Sequence, residues 1–444
     1  MKSIDNDIDL LRLIPPLQEE GAVVLLESQS YTHPAAQKTL LAARPQAEIF
    51  AYENRIVIRR EGEYQEKTGA DVWEELKQFQ SQTDGWLFGY MGYDLKNQVE
   101  QLCSGNQDPV QAPDLYMMNP GLLVEDTSTG RRMLKGDITT DSQVLDLDQI
   151  PTEYTIGDIR PQVSEEEYRG MIRKAQSAIQ EGTYYEINLS HQMRGSFSGA
   201  PLGLYEDMKS AGPVPFGAFI SFKDRHQEFS ICSASPERFL GKRANRVFSQ
   251  PIKGTVSRGV TAAEDRDLKR WLSSSEKNRA ENLMIVDLVR NDLGKIATPG
   301  SVRVSNLFEV QTFETVHQMV STVEAEAPGR HPVDIIRACF PMGSMTGAPK
   351  ISAMRGIEHL ENYRRGIYSG AIGYLAPEGD IDFNVVIRTA VIRGEELFYC
   401  VGGAITSDSD PREEWRETLV KAKALTTAVS PEKSGVAKEP DISR

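Results

Sequence analysis

From Tyr168 to Ile179 the apolar residues Tyr168, Met171, Ile172, Ala175, Ala178 and Ile179 recur at the spacing that lays one stripe along an α-helix. Ser164 with Glu167 supplies a capping box at its start, and Gly182 suits the position just past its end. YYEINLSHQM follows with the branched texture of a strand. The same reasoning predicts strands at 215–222, 229–240, 367–376, 381–393 and 396–405, and helices at 261–272, 276–292, 332–339, 349–361 and 411–428. Nearer the N-terminus, VVLLES (23–28) and EIFAYENRIVIRR (48–60) read as strands, WEELKQF as a helix, and GWLFGYMGYDL (85–95) as a glycine-punctuated strand. Residues 126–161, including DTSTGRR and DLDQIPTEYTIGDIRP, are expected to be irregular connecting chain. The final SPEKSGVAKEPDISR, rich in proline and charge, is expected to be disordered. No fixed-period repeat is visible. The mixture predicts an α+β protein of antiparallel sheets with helices packed outside. The texture changes at 164, separating an N-terminal region (1–150), a second region (164–428) and a tail (429–444).

Composition narrows the function. At 444 residues with 39% hydrophobic side chains, the chain can bury a large core. No apolar run approaches the roughly 20 residues of a membrane helix. The start MKSIDNDIDLLRL is acidic where an export signal is basic. Four scattered cysteines fit a reducing cytosol without a disulfide framework or structural zinc. A net charge of −14 disfavours nucleic acid and anionic membrane as partners. An anionic substrate would therefore need local cations, helix N-termini or a divalent metal to reverse the field.

Several segments could carry chemistry. Lys253 in PIKGT follows an apparent strand, where it is either a solvated side chain or a nucleophile. The second role needs a free amine, hence a pKa brought down by about three units through desolvation or neighbouring positive charge. Glu237 in SASPERFL is either an ion-pair partner of Arg238 or, if it shares a pocket with Lys253, a proton donor. Glu414, Glu417 and Lys421 project from one helix face, as a salt-bridge stripe or as part of a site for a hard cation such as Mg²⁺. GSMTGAPK fails the P-loop pattern, yet its small residues could cradle an anion on backbone N–H groups. Gly402 and Gly403 admit a ligand against bare backbone, and Arg388, interrupting an apolar strand, calls for a carboxylate. His317, in FETVHQMVST, reads first as a hydrogen-bonded structural histidine, the more common outcome. No HExxH, GxSxG or GxGxxG segment is present.

Taken together, SASPERFL, PIKGT, RAENLMIVDLVRNDLGKI, VHQMVST, GSMTGAPK, YSGAIGYL, VIRTAVI, VGGAIT and EEWRETLVKAKA resemble, in order, the chorismate-binding enzyme family. That family includes component I of anthranilate synthase and of aminodeoxychorismate synthase, with isochorismate and salicylate synthases as relatives. The likeness is strong over 164–425 and weaker through LLES and GWLFGYMGYDL. It implies a large two-sheet sandwich with outer helices, like that of anthranilate synthase component I, with the site between the sheets. It implies that Glu281 and Glu417, with Glu414 close by, hold Mg²⁺ against the ring carboxylate of chorismate. Arg388, Tyr368 and the backbone of Gly402 and Gly403 would meet the enolpyruvyl carboxylate, with His317, Ser344 and Lys421 as other pocket members.

Within the family, PIKGT is similar to the aminodeoxychorismate-forming members, whereas anthranilate-forming members resemble PIAGT. Phe216-Gly217, where tryptophan-regulated relatives resemble Tyr-Met, leads to the same choice. The implied route has Lys253 adding at C2 of chorismate as the C4 hydroxyl leaves with help from Glu237, followed by ammonia at C4. The product leads to 4-aminobenzoate and folate after a separate lyase. Anthranilate formation, and water-using isochorismate or salicylate formation, are the alternatives. The chain lacks the G-x-C-x-G motif of a glutamine amidotransferase, so ammonia is expected from a separate glutaminase subunit. Leu26, Glu27 and Ser28 resemble the family's tryptophan-binding element, with feedback inhibition, a structural tryptophan or an ordinary strand all open. Two departures stand out: Asn278 where many relatives are acidic, and Glu186 where relatives often carry glutamine.

Overall fold

Two long strands, Lys38–Tyr52 and Leu115–Thr127, form the spine of the molecule. They pair antiparallel (Leu41 with Val124, Phe50 with Tyr116), with a register shift between Pro45 and Ala47. Pro45, which has no N–H for the ladder, sits at this bulge beside Arg44 at φ 56°. A bulge bends and twists its strand, so the two halves of this pair enter two different sheets. The first half lies beside Val23–Glu27, and that sheet continues through Phe216–Lys223, Glu228–Ser235, Thr389–Arg393, Glu396–Ile405 and Glu186–Gly199. The second half leads through Leu87–Met91 to Ala371–Leu375, Ile381–Asn384, Arg238–Arg243, Arg246–Gln250 and Val316–Glu326. This computed structural model describes residues 9–29, 38–138 and 150–428, and the tail expected to be disordered lies outside them.

The sheets pack face to face. Tyr116 of one stacks on Phe222 of the other with ring centroids 4.2 Å apart, among Phe50, Tyr90 and Phe229. Helices Val72–Ser81, Glu276–Gly294 and Pro332–Cys339 cover the outer face of one sheet, burying Trp73, Leu76, Ile285 and Ile336. Pro201–Ala211, Pro411–Ala428, Glu165–Gln180 and Lys350–Leu360 cover the other. The expected sandwich with outer helices is the observed one. Residues before 150 supply strands to both sheets, since Leu25 pairs with Phe219 and Gly89 with Gly373.

The capping box at Ser164–Glu167 forms, and Gly182 adopts φ 80° past the helix end. Four expectations change. Residues 126–161 are not all irregular: DTSTGRR turns a hairpin into Gly130–Lys135, and short strands follow at Tyr154–Ile156 and Arg160–Pro161. The segment 85–95 is a strand only to Met91 and then a 3₁₀ turn, Tyr93–Gln98. The single strand expected at 229–240 is two, Glu228–Ser235 and Arg238–Arg243, and 381–393 likewise splits into Ile381–Asn384 and Thr389–Arg393. Burial runs unbroken through Pro236–Glu237 and as far as Val386 at the second break, because the chain passes from one buried sheet directly into the other.

Candidate active site

Those two crossings carry two of the expected site residues. Glu237 lies at the first, where its carbonyl accepts from Val385 N–H at the second (3.0 Å). Its carboxyl is buried, with the Ser344 hydroxyl and the Ile252 N–H as hydrogen-bond partners. Burial pushes its pKa up to about 7, against the opposing pull of Ser344 and of the Lys253 charge. Glu237 is thus half protonated near neutrality, the condition for a general acid. Arg388 does not interrupt a strand; it occupies the second crossing at φ 50°, exposed. Among the described residues its guanidinium has no hydrogen-bond or ion-pair partner, so it is available to a ligand carboxylate.

Lys253 is in the strand Ile252–Ser257, which pairs with Val316–Glu326 and lies against the helix Glu276–Gly294. Its Nζ donates to Glu186 Oε1 at 2.6 Å, and the Glu186 side chain is 1% exposed. Desolvation works to lower the lysine pKa, but the charges of Glu186, Glu281 and Glu237 outweigh it and raise the value. The resting group is therefore an ammonium, the reverse of the lowered pKa that a nucleophilic role called for. The departure at Glu186 makes the largest contribution to that rise. Gly254 follows at φ 86°, and a Cβ there would come within 2.9 Å of the Asn278 side chain, so the second departure packs directly beside the lysine turn.

Glu281 projects from the helix Glu276–Gly294 and has no hydrogen-bond or ion-pair partner among the described residues. Burial raises its pKa, Lys253 opposes, and Glu186 and Glu417 raise it further. On Pro411–Ala428, Glu414 Oε1 accepts from Ser409 Oγ (2.8 Å), while burial raises its pKa and Glu417 adds to the rise. Glu417 pairs with Lys421 at 2.7 Å, and Lys421 also donates to the Gly402 carbonyl at 2.7 Å. A Cβ on Gly403 would lie 3.1 Å from Glu414 Oε2. The three glutamates thus feel one another's charge across two helices. Among the described residues no three carboxylate, imidazole or thiol groups converge closely enough to cage an ion unaided.

Both ring nitrogens of His317 are engaged, Nε2 with Asp265 (2.8 Å) and Nδ1 with Thr312 (3.0 Å), which is the structural arrangement. Tyr368 is buried with its ring against the Arg365 guanidinium. Leu26, Glu27 and Ser28 line a separate cavity of about 60 Å³ with Phe216, Gly217 and Asn384. Glu27 there accepts from Tyr205 and Lys209, both at 2.6 Å.

Two supports gave no sequence signal. Arg365 and Glu361 form a fully buried ion pair at 2.6 Å, and Glu361 also accepts from the Ser190 N–H and hydroxyl. Arg365 reaches the carbonyls of Met345 and Asn188, tying the Ser344 turn to the strand that bears Glu186. In GSMTGAPK, Lys350 turns inward to Asp292 (2.5 Å) and to the carbonyls of Cys339 and Pro341, so it offers no charge to an anion.

Comparison with known proteins places this arrangement among relatives. A family described as chorismate binding enzyme matches residues 21–427. The chain is 34% identical to aminodeoxychorismate synthase component 1 of Klebsiella aerogenes, over 92% of this chain and 94% of that protein. It is 44% identical over 289 residues to the chloroplastic aminodeoxychorismate synthase of Arabidopsis thaliana, covering 64% of this chain and 31% of that longer protein. In structure it is similar to anthranilate synthase component I from Streptococcus pneumoniae, with a TM-score of 0.76 at 27% identity over 89% of this chain and 93% of that one.

Proposed function

This chain belongs to the chorismate-binding enzyme family, and from that premise we propose that it converts chorismate and ammonia to 4-amino-4-deoxychorismate. The observation that carries the reading is Lys253 in the same buried, charge-coupled group as Glu237, whose pKa lies at about 7. A nucleophile adding at C2 shifts the ring double bonds and expels the C4 hydroxyl, which leaves as water only if a proton is supplied. Glu237 is the donor. Ammonia then bonds to C4 while the pair of the N–C2 bond returns to Lys253.

Arg388, with Tyr368 and the Gly402–Gly403 backbone, receives the enolpyruvyl carboxylate, and Ser344 and Lys421 complete the surroundings. Glu281 and Glu417, with Glu414 beside them, would hold Mg²⁺, whose charge neutralises the ring carboxylate of chorismate. Their mutual repulsion and the unpartnered Glu281 carboxylate support that assignment. The ammonia comes from a separate glutaminase subunit, and ammonium salts substitute for it. The protein acts in the cytoplasm, a reading in keeping with described helices none of which is long and apolar enough to cross a membrane.

The test is incubation with chorismate, MgCl₂ and ammonium chloride. The expected product yields 4-aminobenzoate only after a lyase is added. Anthranilate fluorescence without lyase overturns the reading in favour of anthranilate formation, and turnover without ammonia points to a water-using enzyme.

A further inference from the structure

The nucleophilic role given to Lys253 conflicts with its resting state, because a lysine held as an ammonium has no lone pair to offer. The proton must go somewhere, and the Lys253 side chain is only 11% exposed. Glu186 is the group within reach: it is buried, its Oε1 lies 2.6 Å from Lys253 Nζ, and its Oε2 has no hydrogen-bond partner. A carboxylate has room for about four hydrogen bonds, and Lys253 is the one donor it has among the described residues. Glu237 is already committed as the acid for the leaving hydroxyl, and Glu281 faces the other carboxylates from its helix. Strand pairing and backbone bonds fix the position of Glu186, since Ile187 pairs with both Gly347 and Ile405 and Tyr185 N–H donates to the Ala348 carbonyl.

We infer that Glu186 is the proton acceptor that frees the Lys253 amine, an assignment that rests on the covalent reading above. Lys253 ammonium and Glu186 carboxylate become amine and carboxylic acid. The amine forms the N–C2 bond as C4–O breaks, and Glu237 gives the proton with which oxygen departs as water. When ammonia bonds to C4, the N–C2 electron pair returns to Lys253 as neutral amine. The proton on the new C4 ammonium passes to the Glu237 carboxylate, and Glu186 returns its own proton to Lys253. Both acids and the lysine end as they began. Direct transfer makes the generation of the nucleophile independent of bulk hydroxide, so a glutamine at 186 and a glutamate there predict different pH behaviour.

The experiment follows adduct formation by intact-protein mass in single turnovers with chorismate and MgCl₂, without ammonia, between pH 6 and 9. The charged groups facing Lys253 are Glu186, Glu237 and Glu281, so Glu186→Gln is compared with the parent at every pH. The parent is expected to form adduct fastest below about pH 7, where Glu237 is protonated, and more slowly towards pH 9. Glu186→Gln is expected to be slower than the parent by ~100-fold at pH 6, the scale of a lost general base, and the gap between the two is expected to narrow as pH rises. Glu186→Asp, which keeps the carboxylate, is expected to restore part of the rate at pH 6. Equal chorismate affinity in titration separates these effects from misfolding. A Glu186→Gln rate at pH 6 equal to or above the parent's overturns the assignment, for Glu186 would then merely restrain the lysine. Absence of adduct in the parent, with product still formed when ammonia is added, overturns the covalent reading and this role with it.

Discussion

The backbone nitrogen of Val385 donates to the carbonyl of Glu237 at 3.0 Å, fastening together the two places where the chain crosses between sheets. The Ser235 hydroxyl strengthens the tie by donating to the Val385 carbonyl at 2.6 Å. Glu237 and Arg388, the proposed acid and the proposed carboxylate contact, are thereby held at one seam.

Removing that hydroxyl leaves the buried Val385 carbonyl short of a donor. Ser235→Ala is expected to lower stability by about 1–2 kcal/mol. A fall in the urea midpoint without a change in the slope of the transition checks it.

Glu237 gives two pH dependences. In activity, its protonated form is the donor, so kcat/KM is expected to decline above about pH 7, and Glu237→Gln should show a low rate lacking that limb. In stability, its pKa is raised from 4.5 to about 7 on folding, so between those values the folded protein binds a proton that the unfolded chain has released. Stability from this group is full below pH 4.5 and lost as pH rises through 7, by roughly 3 kcal/mol at most. Glu237→Gln should thus gain stability relative to the parent at pH 8 and not at pH 4.5, as chemical denaturation at the two pH values would reveal.

Adjacent glycines should behave oppositely. A Cβ at Gly402 would press into the Leu189 carbonyl and Ser190 of the neighbouring strand, so Gly402→Ala is expected to be strongly destabilised. At Gly403 the nearest atom is the movable end of Glu414, 3.1 Å away. Gly403→Ala should keep nearly its full thermal stability and require more MgCl₂ for half-maximal rate.

Glu361 and Arg365 are each about 1% exposed in their side chains. Glu361→Ala strands a buried guanidinium, with an expected cost of about 3–5 kcal/mol. A loss under 1 kcal/mol in urea denaturation would show that Arg365 finds another counter-charge.

Arg388 is exposed and has no partner among the described residues, so Arg388→Ala should leave the melting temperature within a degree or two. A rise in the KM for chorismate by at least about tenfold, consistent with a lost charge-assisted bond of 1.5–3 kcal/mol, is the kinetic signature.

Much of this was legible in the sequence for a local reason. The helix after Ser164 carried its cap, stripe and terminal glycine within 19 residues, and it formed as read. Lys253 and Glu237 stood out as a potential nucleophile and acid, and Glu281, Glu414 and Glu417 as a potential cation site, through motif resemblance. The strand breaks at 236–237 and 385–388 are marked only by Pro236–Glu237 and by Arg388, which a local reading takes as interruptions within one strand; that the flanking strands pair in different sheets depends on long-range partners. The Glu361–Arg365 pair was likewise hidden, since its value depends on burial and not on spacing.

Lys253 by itself was determined by sequence only as a lysine between an apolar residue and a turn. Its protonation state was decided by the tertiary structure, which brings Glu186 from a strand 67 positions earlier to within 2.6 Å. Burial works to strip the proton from the lysine; the buried carboxylate at that distance, with the charges of Glu281 and Glu237 beside it, keeps the proton there, because a charge pair in a poorly solvated space attracts far more strongly than in water. Residue identity supplied both groups, and only the folding of two strands against each other made one the keeper of the other's proton.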